Sequence, residues 1–185
     1  MAEYYLISQL PSLDGISENM PLPVTEERFL ELCNRFLGKK AQNEIKKLTL
    51  SPAMNFEKSG SALIEAWNEG ERNLRIALAK IRAEKMKKTF ETDNKSLPVG
   101  LAKAANAAAE TESPLEAEKF LNQYRLDFLE TLRPMDGFSE DFIFYYGLKL
   151  KLLLRIRKFD ADTGKAAYRN IYNSILNGDR SEAIQ

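Results

Sequence analysis

Apolar residues recur at helical spacing along most of this chain. Phe29, Leu32, Cys33 and Phe36 share one helix face. Thr25 precedes them as an N-cap, with Arg28 at the third helical position. Glu26 and Glu27 fill the first turn, where the helix dipole favours negative charge. Gly38 stops this run, and a second short helix is predicted from Lys39 to Thr49, ended by Pro52.

The longest periodic run covers residues 61–90. Leu63, Trp67, Leu74, Leu78 and Ile81 form one apolar stripe, interrupted at Gly70. A helix of that length reaches about 45 Å, whereas a compact chain of this size has a radius of gyration of about 16 Å. The pattern predicts an elongated bundle built on one long helix with a basic end at Arg82, Lys85, Lys87 and Lys88. After a polar break from Thr92 to Ser96, Pro98 opens an Ala-rich helix running to about Ala109. Ser113, Pro114 and Glu116 then give a start signal: a capping hydroxyl, a proline at the first helical position and a capping-box glutamate. Ala117, Leu121, Tyr124, Phe128 and Leu132 line one face of the helix that follows, before Pro134.

Ser139 caps the next helix, predicted over 140–158. It is apolar on most sides from Phe142 onward and reads as the buried central element. Phe159 ends it, and Asp160 or Asp162 caps a last helix that carries Ala166, Ala167, Ile171 and Ile175 and stops near Gly178. Residues 1–24 read as an extended strap. Tyr4 to Leu10 suits a short strand or strip, and Pro11, Gly15, Pro21 and Pro23 break regular structure. The tail, 179–185, is expected to fray. The fold class is therefore all-α, a multi-helix bundle forming a single helical domain over 1–185.

Charge and composition narrow the chemistry. Lys plus Arg and Asp plus Glu each number 27, so the net charge is zero, which argues against a nucleic-acid binder. The sum hides unevenness: basic residues outnumber acidic ones over 58–95 and 142–185, and acidic ones dominate 96–141. Blocks of this kind suit docking between helices or subunits. There is no histidine, which removes every triad or metal site built on imidazole. Cys33 is the one cysteine and lies on an apolar helix face, where a buried, inert thiol fits best. The start of the chain has no positive charge ahead of its apolar residues, so no secretory signal is expected. Lys149, Lys151 and Arg155 interrupt the most apolar stretch, so no membrane span is expected either. The reading is a cytoplasmic protein that meets a membrane only through partners.

The segment Phe159-Asp160-Ala161-Asp162-Thr163-Gly164-Lys165 fits no ligand loop. As a calcium loop its glycine comes one residue early, and its twelfth position is Ile171. As a phosphate-binding loop it has Phe159 where the first glycine belongs. A capped turn between helices fits better. Carboxylates are plentiful, but no spacing singles out an acid–base pair. Tyr145, Tyr146 and Trp67 read as core residues. No catalytic, cofactor-binding or metal-binding residue is assigned. Lys151, Arg155 and Lys158 share one face of the central helix, and Arg72 and Arg75 lie together on the long one. These five are the candidate partner contacts. They form either a site for an anion or acidic partner, or a solvated stripe whose stems cover apolar neighbours.

Four stretches together resemble a known family. They are YYLISQLPSL with PLPVTEERFLELC, then EAWNEGERNLRIALAKIRAEKMKK, then SPLEAEKFLNQYRLDFLETL, and GLKLKLLLRIRKFDADTGKAAYRNIYNSI. The pattern resembles a bacterial family of uncharacterised proteins encoded among V-type ATPase subunits. That family is similar to the C-type socket protein of the V/A-type ATPases, the counterpart of the eukaryotic d-type one. The resemblance implies an all-helical, non-catalytic protein that binds no nucleotide and no cofactor. It implies partners in the ATPase stalk and membrane ring, and a place on the inner face of the membrane through them. The C-type socket is longer and built of three related helical bundles, and this chain is too short for all three. A free-standing cytoplasmic adaptor or regulatory protein is the alternative.

Overall fold

In the computed structural model, which describes residues 2–16, 20–53, 58–90, 98–158 and 161–182, all regular structure is helical. The order is α1 (Ala2–Gln9), α2 (Glu26–Phe36), α3 (Lys39–Lys47), α4 (Ala62–Lys85), α5 (Val99–Glu110), α6 (Pro114–Thr131), α7 (Glu140–Arg157) and α8 (Ala161–Glu182). Side-chain caps fix four of the starts. The hydroxyls of Thr25, Ser61, Ser113 and Ser139 each accept from the backbone N–H three residues on. The Glu116 carboxylate does not close the expected capping box and pairs with Lys119 instead.

The central helix is α7. Ile143 to Leu150 are buried without a break, followed by Leu152. Burying one large apolar side chain contributes about 1.5–3 kcal/mol, so this run makes α7 the element on which the others assemble. Around it lie α2, α3, α4 and α6. Leu6 of α1, Phe29 and Leu32 of α2, Ile45 of α3, Trp67 of α4 and Leu129 of α6 complete the main core. Trp67 buries its ring and donates its indole N–H to the Thr49 carbonyl at 3.2 Å. A smaller core sits further along α4, where Leu74 and Ala77 meet Leu101, Ala105 and Ala108 of α5 and Leu121 of α6. One helix thus belongs to two cores. Gly70 lies between them and lets α6 approach, since a Cβ there would stand 2.3 Å from Phe128 Cε1.

Four expectations need correction. The first residues are helical, not an extended strap. Leu6 enters the core with Ile7 and Leu10 beside it, a helical spacing that overrides the strand propensity of the tyrosines and isoleucine. Pro11 and the proline-rich stretch after it remain non-helical. The long helix ends at Lys85, not near residue 90, because Lys87 adopts φ 53° and turns the chain. The last helix continues past Gly178 to Glu182. A glycine in a helix costs only about 1 kcal/mol relative to alanine, and no proline follows it. Asp162 lies inside α8 and is not its cap, and the expected turn from Asp162 to Lys165 is helical. Phe159 and Asp160 lie outside the described residues.

Candidate functional site

The long helix carries an acid where its apolar stripe demands a hydrophobe. Glu71 falls between Trp67 and Leu74 and is buried. On α6, Arg125 occupies the equivalent place between Leu121 and Leu129. Neither charge survives burial unpaired, and the two helices bring them together. Arg125 Nε donates to Glu71 Oε2 at 2.9 Å and Nη2 donates to Oε1 at 3.1 Å. Arg125 Nη1 also donates to Asn122 Oδ1 at 3.3 Å and lies 3.5 Å from Glu118 Oε1. Arg155 of α7 reaches the same Glu118 oxygen at 2.5 Å.

Above this network opens a cleft of about 500 Å³. Arg125, Arg155, Glu71 and Glu118 line it, with Arg75 and Arg82 of α4, Ser51, Phe90 and the apolar Ile76, Leu78, Ala79 and Leu121. Arg75 donates from Nη1 to the Pro52 carbonyl at 2.7 Å. Four guanidinium groups face two carboxylates, so the lining carries an excess of two positive charges. Such a surface binds anions through planar, forked donors.

The five sequence candidates divide. Arg75 and Arg155 line this cleft. Arg72 is half-buried, and its Nε is buried without a hydrogen-bond partner. Lys151 turns to α2 and pairs with Glu26. Lys158 is exposed at the C-cap of α7. Two of the three α7 cations are thus drawn to carboxylates on different helices, Lys151 to Glu26 of α2 and Arg155 to Glu118 of α6. From the sequence, Glu71, Glu118 and Arg125 are not singled out, and Arg82 reads only as part of the basic end of the long helix. The signal for Glu71 and Arg125 was present as a charge at a core position on each of two helices.

A second polar cluster ties the N-terminal loop to α7. Lys149 Nζ donates to Asp14 Oδ1 at 2.5 Å, to Glu130 Oε1 at 2.6 Å and to Tyr145 Oη at 3.2 Å. Tyr145 Oη donates to Glu130 Oε1 at 2.7 Å, and Tyr146 Oη donates to the Pro11 carbonyl at 2.8 Å. Burial alone would lower the Lys149 pKa, but the hydrogen bonds to Asp14 and Glu130 outweigh it and raise it. Burial, with the Glu130 bond, pushes Tyr145 up to about 12. Lys149 spends its three N–H donors on Asp14, Glu130 and Tyr145, so the cluster clamps the N-terminal loop and α6 to α7. Burial likewise pushes the Cys33 thiol up to about 12. Among the described residues, no three His, Cys, Asp or Glu side chains are grouped to hold a metal, and no helix is long and apolar enough to cross a membrane.

On α8, every described side chain from Lys165 to Ile175 is exposed. Tyr168, Ile171, Tyr172 and Ile175 lie three or four residues apart and form one apolar stripe facing solvent. The rings of Tyr168 and Tyr172 stack with centroids 6.2 Å apart. No family model, curated protein or solved structure matches this chain.

Proposed function

We propose that this protein is a non-catalytic docking subunit that joins the stalk of a V-type ATPase to its membrane ring. The observation that carries the docking role is the exposed apolar stripe of α8, four large side chains on one face of a helix that buries none of its described residues. An amphipathic face left to solvent marks a surface that meets a partner. The choice of partner rests on the resemblance of the four sequence stretches to the C-type socket proteins. The uneven charge blocks support the same reading.

The test is copurification of the tagged protein from gently solubilised membranes of its native host. Stoichiometric stalk and ring subunits are expected. Ile171→Asp with Ile175→Asp should abolish their recovery, and because both residues are exposed the fold should persist by circular dichroism. Recovery of the protein alone, beside an intact ATPase that lacks it, would sink the proposal and favour a free-standing adaptor. Charge reversal at Lys151 or Arg155 is a worse probe, because it breaks an internal ion pair.

A further inference from the structure

We infer that the cleft between α4, α6 and α7 binds an acidic segment of a partner protein, with carboxylates about two helical turns apart. This rests on the docking reading and names the chemistry of one contact. Arg75 and Arg82 carry it. They are seven residues apart on α4, hence on one face and about 10.5 Å apart along its axis. Neither forms an ion pair among the described residues. Arg75 commits one N–H to the Pro52 carbonyl and keeps the rest of its fork.

The floor of the cleft is neutral by comparison. Arg125 is held by Glu71, and Glu118 holds Arg155. The net charge of the lining is therefore concentrated on the two α4 arginines. A single phosphate is too small to meet forks whose stems are two turns apart unless both side chains bend together. Two carboxylates at matching spacing meet both at once. Because Glu71 and Glu118 already engage Arg125 and Arg155, an anion gains less from the floor than from the two α4 arginines, which favours a segment lying along the rim. Leu78 and the exposed Phe90 offer that segment an apolar wall.

Fluorescence anisotropy on the full chain tests this. The probe is a labelled alanine-based helical peptide with two glutamates seven residues apart, beside a counterpart with glutamines. The glutamate peptide should bind about tenfold more tightly, and Arg82→Glu should remove that advantage. Arg75→Glu should act in the same direction, although it also frees the Pro52 carbonyl. Lys46→Glu, on exposed α3 surface, should change nothing. Raising salt from about 50 to 300 mM should weaken binding. Equal binding of the two peptides, or full binding by Arg82→Glu, would overturn the inference. So would displacement of the peptide by equimolar inorganic phosphate, which would assign the cleft to a small anion. If ATPase subunits copurify while Arg82→Glu leaves peptide binding intact, docking stands and the cleft falls. If the peptide binds as expected and the protein leaves membranes alone, the cleft stands and the ATPase reading falls.

Discussion

Arg125 grips Glu71 with two parallel hydrogen bonds across the α4–α6 contact, and both side chains are more than nine-tenths buried. Each charge is tolerable there only because of the other. Removing one partner leaves a buried, uncompensated ion, at a cost of about 3–5 kcal/mol. Glu71→Leu alone and Arg125→Met alone should each destabilise by about that much in urea unfolding. The double variant Glu71→Leu with Arg125→Met should recover most of the loss, because an apolar pair of similar volume has no ion to desolvate. If the double variant is as unstable as the sum of the singles, the pair is not the coupled unit its geometry describes.

Gly70 supplies the second prediction. A methyl group there would overlap the Phe128 ring, whose nearest atoms lie 2.3 and 2.5 Å from the Cβ position. Ordinarily Gly→Ala inside a helix gains about 1 kcal/mol. Here overpacking costs about 1–3 kcal/mol and should win. Gly70→Ala should lower the unfolding midpoint, and Gly70→Ala with Phe128→Leu should restore part of it. A stabilised single variant would show that the α4–α6 contact relaxes freely.

The contrast between Gly70 and Glu71 shows what the sequence disclosed. Periodicity and four capping hydroxyls located the starts of α2, α4, α6 and α7 closely, because these signals are local and act within one helix. Trp67 and Cys33 were legible as core for the same reason. The N-terminal helix was not, because Tyr4, Tyr5 and Ile7 favour a strand and only the packing of Leu6 decides otherwise. The cleft was legible in part. Arg75 and Arg155 stood out as basic residues on helix faces, yet their neighbours Arg125 and Glu118 come from a helix distant in sequence. One-helix periodicity cannot reveal which face meets which. The triplet of Lys151, Arg155 and Lys158 is divided between partners that adjacency on one helix cannot reveal, Glu26 for Lys151 and Glu118 for Arg155.

The Lys149 clamp predicts a pH dependence. Hydrogen bonding to Lys149 is the largest influence on Asp14 and holds its carboxyl below its usual range. At Glu130 burial pushes upward, but the bonds to Lys149 and Tyr145 prevail and lower the pKa. A depressed carboxylate pKa gives stability that is complete above the unfolded value of about 4 and is lost as pH falls toward the folded one. Both carboxylates are partly exposed, so salt screens the effect. The urea midpoint should therefore drop between about pH 5 and pH 3, more steeply for the wild type than for Asp14→Asn. Added salt should narrow that difference. Parallel curves for the two proteins would show that the Asp14 contact adds nothing. At the alkaline end the sign reverses. The raised Lys149 pKa gives stability that is complete below about pH 10 and is lost as pH rises.

The end of α4 gives the last prediction. Lys88 donates its N–H to the Ala83 carbonyl at 2.9 Å, and Lys87 donates to the Glu84 carbonyl at 3.0 Å. Those two bonds define a Schellman cap, with Lys87 at the residue that must adopt the left-handed conformation. Its φ of 53° meets that demand. An L-residue with a Cβ pays a steric cost there that glycine avoids. Against this, glycine gives the unfolded chain more freedom, which offsets part of the gain. Lys87 is exposed and its side chain fills no core space. Lys87→Gly should therefore stabilise by about 0.5–1 kcal/mol, raising Tm by about 1–4 °C in a chain of this size. Lys87→Val should lower Tm, because branching at Cβ worsens the same clash. If Gly and Val shift Tm alike, the cap is not held in its left-handed form in solution.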